Sequence, residues 1–211
     1  MKSIKNKLGI ACMILGALLL AAAIALLVYN RWDDWRAGRA ADEIQSALKV
    51  VMMELPSESE GEEQYAAETE AEAEEVRVMN TVEIDGDEYI GILTIPSLAL
   101  ELPIMADWSY PKLKIAPCRF AGSVWTDDLI ICGHNYSRHF GNLKYLEQGN
   151  TVTFTDVDGN VFNYEVAETD ILQPTDVEEL MSQESEEWDL TLVTCTVGGK
   201  TRVTVRCILA D

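Results

Sequence analysis

Hydrophobic residues change their pattern along the chain, and each pattern predicts a different element. From Leu8 to Tyr29 the chain is apolar for roughly 22 residues without a charge, long enough to cross a bilayer as a helix. Lys2, Lys5 and Lys7 precede the run. Basic residues before an apolar core also suit a secretory signal. This core is long for a cleaved signal, however, and no clean cleavage site follows it. Tyr29, Trp32 and Trp35 suit an interfacial aromatic belt at its far end. Residues 1–29 are therefore expected to form a cytoplasmic tip and a retained single-pass anchor. The basic N-terminus stays inside by the positive-inside tendency, and everything after Tyr29 lies outside. Arg31, Arg36 and Arg39 weaken that contrast, although Asp33 and Asp34 stand among them.

Residues 30–80 are expected to be a helix followed by a stalk. Between Asn30 and Leu55 the apolar residues Ile44, Leu48, Val51 and Met52 recur at helical spacing, and Pro56 stops the pattern. Ser57 to Glu75 is rich in Glu, Ser and Ala, with almost no large apolar residue. Such a segment buries too little surface to offset its ordering entropy and reads as a solvated, self-repelling stalk. A calcium-binding or partner-docking acidic segment is the weaker alternative.

From Thr81 short β-rich runs alternate with turn signals: Tyr89–Ile95, Leu129–Cys132, Thr151–Thr155, Val161–Val166, Leu190–Thr194 and Thr201–Ile208. Asp158-Gly159 between two alternating runs predicts a hairpin. A calcium loop at Asp156 and Asp158 would need further acidic positions and a distal Glu, which are missing. Thr175 and Glu178, just after Pro174, have capping-box spacing and predict a short helix over Asp176–Met181. Many short strands with one or two short helices make residues 81–211 a mainly β domain, a barrel or sandwich.

Charge and cysteine content narrow the function. The chain of 211 residues carries 36 acidic and 16 basic residues, a formal net charge of −20. It repels phosphates, and no basic patch offsets this, so nucleic acid is excluded as a partner. The five cysteines, at positions 12, 118, 132, 195 and 207, form no Cys-x-x-Cys pair, and only His134 and His139 accompany them. Neither a zinc site nor a disulfide framework fits that spacing, and no metal site is expected.

Cys195 ends a predicted strand, and Gly198-Gly199 turns the chain soon afterwards. His134 follows the apolar strand Leu129-Ile130-Ile131-Cys132, and Arg202 opens the last strand. A thiolate attacks carbonyls, an imidazole protonates a leaving amine, and a guanidinium stabilises an oxyanion. Cys195 and Arg202 flank one short turn and should be neighbours; His134 must be brought in by the fold. Each also has a plain structural reading: a lone cysteine is usually a small buried hydrophobe, a Gly-His in a loop is usually surface polar, and an Arg at a strand start is usually solvated. Arg206 shares a strand face with Arg202 by alternation, but Arg202 lies nearer the turn. His139, in the polar run Ser137-Arg138-His139, is the rival of His134 and is expected to be exposed. Cys132 and Cys207 read as core, Cys118 as a bystander, and Cys12 belongs to the anchor.

Thr191-Leu192-Val193-Thr194-Cys195 resembles the Thr-Leu-x-Thr-Cys signature of the sortase family. Arg202-Val203-Thr204-Val205 and Gly133-His134-Asn135 resemble its arginine strand and its histidine motif. The order His, Cys, Arg matches, and the resemblance covers most of residues 81–211, including Ile95-Pro96. It implies an eight-stranded closed β-barrel, with Cys195 as nucleophile, His134 as general acid and base, and Arg202 as oxyanion and substrate stabiliser. Thr194 would shape the site or contact the peptide, and the segment Ile171 to Asp189 would govern which peptide is accepted.

The implied reaction is transpeptidation. A Leu-Pro-x-Thr-Gly-like sorting signal at the C-terminus of a secreted protein is cleaved through a thioester, and the acyl group passes to a peptidoglycan-precursor or pilin amine. The setting would be the cell membrane of a Gram-positive-type surface, with no cofactor required; some members of the family use calcium as an activator. The rivals are a surface cysteine peptidase with water as acceptor and a non-catalytic anchored β-domain. An L,D-transpeptidase would place its histidine and cysteine closer together in sequence.

Overall fold

The computed structural model describes residues 2–54, 77–176 and 188–210. The acidic segment expected at 57–75, and the helix expected over Asp176–Met181 apart from Asp176 itself, lie outside the described residues. One long helix, α1 (Lys2–Glu54), begins the chain. The chain divides into two compact units, Met1–Arg36 and Ala37–Asp211.

The first unit is helical. It contains the apolar stretch long enough to cross a membrane, and Leu18, Leu19, Leu26 and Leu27 within it are exposed.

The second unit starts with the remainder of α1. Ala37, Ala41 and Leu48 are buried there, while Ile44 and Met52 pack on the same cluster as Leu48. This is the helical spacing legible in the sequence, and it shows what the stripe is for. Leu48 joins Tyr89, Ile92 and Met105 in one core cluster, and Ala41 joins the larger barrel core. The last third of the helix, from Ala37, thus belongs to the same compact unit as the strands that begin near residue 81.

Nine strands follow among the described residues: β1 (Val82–Ile84), β2 (Asp87–Ile95), β3 (Leu100–Met105), β4 (Cys118–Ala121), β5 (Leu129–Gly133), β6 (Thr151–Asp156), β7 (Val161–Leu172), β8 (Leu190–Cys195) and β9 (Arg202–Leu209). Their order is β1-β2-β3-β4-β5-β8-β9-β7-β6, and β6 returns to pair with β2. That last pairing closes a barrel of eight strands, with β1 attached outside the ring through its hairpin with β2. Closure removes the exposed edges that an open sheet would present. Among the described strands, β3–β4 and β5–β8 are the parallel pairs.

Alternation separates the two faces of each strand. Leu129 and Ile131 of β5, Leu190 and Leu192 of β8, and Val203, Val205 and Cys207 of β9 fill the barrel interior. The β6–β7 hairpin turns at Asp158-Gly159, as the sequence predicts. The buried Asp156 carboxylate accepts bonds from the backbone N–H groups of Asp158 and Asn160 and from the Asn160 amide. Those bonds account for an acidic residue at this position.

Candidate active site

Strand register assembles the site. The parallel strands β5 and β8 run in step from Leu129↔Leu190 to Gly133↔Thr194. Both end there or one residue later, so the next pair of residues is His134 and Cys195. The antiparallel neighbour β9 places Arg202 directly opposite Cys195. Residues distant in sequence therefore meet at one end of three adjacent strands.

Local bonds hold that end together. The Thr194 hydroxyl donates to the Gly133 carbonyl at 2.9 Å, and the Asn135 side-chain amide donates to the Thr196 carbonyl at 3.4 Å. The turn from Cys195 to Arg202 is closed by Thr196 N–H to Thr201 O at 3.0 Å, Gly199 N–H to Thr196 O at 2.8 Å, and the two threonine hydroxyls at 2.8 Å. Arg202 Nη1 donates to the Gly199 and Thr201 carbonyls, each at 3.1 Å, which fixes the guanidinium over the turn.

A cavity of about 300 Å³ opens on the outer face of the barrel. Its floor is the side of the strands opposite the core: Ile130 and Cys132, Val193 and Cys195, Arg202 and Thr204. Trp108, Tyr110 and Phe120 form an aromatic wall, with Trp108 at 5.8 Å from Tyr110 and 5.5 Å from Phe120 between ring centroids. Leu172, Gln173, Pro174 and Asp176 border it on the other side. They are the described start of the segment Ile171 to Asp189. Cys195 and Arg202 line this cavity; His134 does not, but follows the lining residue Gly133.

His134, Cys195 and Arg202 are each half-buried. This exposure suits reacting groups, which must meet a substrate. Thr194 is buried and ties the two strands through its hydroxyl. Arg206 stands away from the group: it pairs with Thr191 and its guanidinium lies 5.7 Å from the Trp188 ring. Among the described residues no cluster of three or more His, Cys, Asp and Glu side chains is arranged to hold a metal.

One expectation needs correction. His139 is fully buried, not exposed. Its N–H bonds back to the Tyr136 carbonyl at 3.0 Å, and its ring packs edge-on to Tyr136 at 5.4 Å, so the backbone turn carries it inward despite polar neighbours. Cys132 is half-buried: it packs against the core cluster of Tyr89, Ile92 and Met105, as its apolar strand suggests, and also lines the cavity together with Cys195. Burial pushes its thiol up to about 12, and the charge of a nearby Cys195 thiolate adds to this. Cys118 and Cys207 are fully buried and are likewise pushed up to about 12 by desolvation.

Sequence reasoning missed the aromatic wall, Asn135 and the cavity role of Cys132. The dense aromatics of Trp108-Ser109-Tyr110 were the available signal for the first.

The sortase domain family model matches residues 93–210, more than half of the chain. The chain belongs to the sortase family. Among solved structures it is similar to sortase A from Corynebacterium diphtheriae, at 24% identity and TM-score 0.53, over 59% of this chain and 62% of that one. It is similar to the sortase D5 transpeptidase of Clostridium perfringens, at 25% identity and TM-score 0.51, over 58% and 79%. A third match is sortase C of Clostridium perfringens with the C-terminal cell wall sorting motif, at 22% identity and TM-score 0.51, over 58% and 71%. The chain thus spans less than two thirds of the Corynebacterium diphtheriae sortase. A comparison with curated proteins found no match. In this sortase Thr191 to Cys195, the run that resembles the family's signature, forms the last five residues of β8.

Proposed function

We propose that this sortase is a membrane-anchored cysteine transpeptidase acting on exported proteins with a C-terminal sorting signal. The observation that carries the reading is the strand register, which ends β5 and β8 together and sets Arg202 opposite Cys195. The Cys195 thiolate attacks the carbonyl carbon at the scissile bond of a Leu-Pro-x-Thr-Gly-like signal. Arg202 stabilises the oxyanion. His134 gives a proton to the leaving amine, and a thioester remains on Cys195. An amine then attacks the thioester, loses a proton to His134, and releases Cys195 as the thiolate. The acceptor is a peptidoglycan-precursor peptide or a pilin lysine.

The similar Clostridium perfringens sortase C, solved with the C-terminal cell wall sorting motif, supports the substrate class. So does the cavity, whose aromatic and aliphatic lining suits the apolar Leu-Pro end of such a signal. The Ile171 to Asp189 segment is assigned to peptide selection because its described start borders the cavity, and loops on a rigid scaffold are the usual seat of specificity. The chemistry moves only protons and an acyl group, so it needs no cofactor, with calcium kept as an optional activator. The apolar helix anchors the enzyme in the cell membrane, with the barrel on the outer side.

Incubation with a sorting-motif peptide library and several amines tests the reading. An amine-linked product is expected. Hydrolysed peptide alone would make the protein a surface cysteine peptidase, and neither product would leave a non-catalytic domain.

A further inference from the structure

Gly38 lies inside α1, where glycine weakens a helix relative to alanine. The packing explains its presence. A β-carbon at this position would stand 2.6 Å from Nε and 3.0 Å from Cβ of Arg138, so the arginine stem rests on bare helix backbone. One turn further along the helix, the Asp42 carboxylate accepts a bond from Arg138 Nη2 at 2.6 Å. A notch and a carboxylate on one helix thus seat a single side chain.

Arg138 belongs to the loop that starts at His134, and the loop is wound tightly on itself. Phe140 N–H donates to the His134 carbonyl at 3.1 Å, and the N–H groups of His139 and Gly141 donate to the Tyr136 carbonyl at 3.0 and 2.9 Å. The Tyr136 ring stands 4.9 Å from the His134 ring and 5.4 Å from the His139 ring. Phe140, at the end of the loop, is buried in the same core cluster as Ala41 of the helix. A loop closed in this way moves as one piece, so a displacement at Arg138 reaches the imidazole.

We infer that Arg138, seated in the Gly38 notch and paired with Asp42, is a positioning residue for the His134 imidazole. The inference rests on the reading of His134 as general acid and base. Exposed ion pairs contribute little by themselves, and here the two side chains are 45% and 53% exposed. The constraint comes mainly from the seated stem, with the carboxylate selecting its direction. Proton transfer needs the imidazole within hydrogen-bond reach of the leaving nitrogen. A loosened loop therefore slows the chemical step without weakening peptide binding.

The test uses the full chain in detergent, with a sorting-motif peptide and an amine, and compares Gly38→Leu, Arg138→Ala and Arg138→Lys. Gly38→Leu unseats the arginine, and Arg138→Ala removes it. Each is expected to lower kcat by about tenfold to a hundredfold, the scale set by small misplacements of reacting groups. KM and the thermal midpoint should stay near wild type. Arg138→Lys keeps a long stem and the charge, and should recover most of the rate. Wild-type kcat in both Gly38→Leu and Arg138→Ala would overturn the inference. So would a loss that tracks a lowered thermal midpoint and that lysine does not rescue. Absence of turnover in the wild type would instead overturn the transpeptidase reading, and this inference with it.

Discussion

The side-chain amide of Asn135 donates to the backbone carbonyl of Thr196 at 3.4 Å, joining the residue after the histidine to the residue after the cysteine. Strands β5 and β8 have both ended here, so their ladder no longer sets the spacing of the two chains. This bond continues the pairing by one step beyond His134 and Cys195.

Asn135→Ala should therefore lower kcat/KM by about threefold to tenfold, the rate equivalent of one ordinary hydrogen bond. Asn135 is exposed, so the thermal midpoint should hold. Steady-state rates beside a melting curve check both halves. Asn135→Asp should fall at least as far, because a carboxylate would face the carbonyl with no donor.

The two arginines of β9 should behave differently. Arg202 sits opposite Cys195 and lines the cavity, whereas Arg206 sits opposite Thr191. Lysine keeps the charge but loses the planar fork. Arg202→Lys should cost ~3 kcal/mol in the transition state, about a hundredfold in rate. Arg206→Lys should stay within a few-fold of wild type. Equal effects in a peptide-cleavage assay would contradict the assignment of the oxyanion role.

These contrasts show what sequence could and could not supply. The runs at β2, β5, β6, β8 and β9 are legible because each sets a β-rich stretch against a turn signal, Asp158-Gly159 above all. Strand β7 runs on to Leu172, past the expected end at Val166, because a bulge between Val166 and Glu168 shifts its register with β9. Strands β3 and β4 were not legible. Pro103 interrupts the ladder pattern of β3, and β4 is a four-residue strand that pairs with β3 at one position only. The catalytic candidates were found through motifs, but their meeting depends on a parallel pairing between β5 and β8, which no local pattern encodes. His139 was misplaced for a related reason: polar neighbours suggest a surface, while a backbone turn and the Tyr136 ring decide the outcome.

Gly133 is required by a close approach. A β-carbon there would meet the Phe140 ring at 2.6 Å to Cδ2 and 2.8 Å to Cγ, and Phe140 is fully buried. Gly133→Ala should force the ring and the histidine loop apart, at an overpacking cost of about 1–3 kcal/mol. Chemical denaturation should show the lost stability, and peptide turnover should fall with it.

The buried thiols make stability fall at alkaline pH. Cys118 and Cys207 are pushed up to about 12 from an ordinary 9.0. Below about pH 9 both are protonated in the folded and unfolded chain and add no pH dependence. Between 9 and 12 the unfolded chain releases protons that the folded chain keeps. The unfolded state then binds fewer protons, so stability falls as pH rises, by up to ~1.4 kcal/mol per pH unit for each thiol. Burial also raises Tyr89 and Tyr164, which act in the same direction. Urea unfolding at pH 8 and 10.5 should show the loss. Cys207→Ala should start less stable through lost packing and lose less between the two pH values. An equal loss in the variant would contradict the role given to that thiol.

Intact-protein mass spectrometry of the full chain with a sorting-motif peptide tests the nucleophile most directly. Wild type should gain the mass of the N-terminal peptide fragment as a thioester on Cys195, and should lose it when an amine is added, as the joined product appears. Cys195→Ala should gain nothing. An adduct that persists in Cys195→Ala, or that maps to Cys132 in the same cavity, would contradict the assignment.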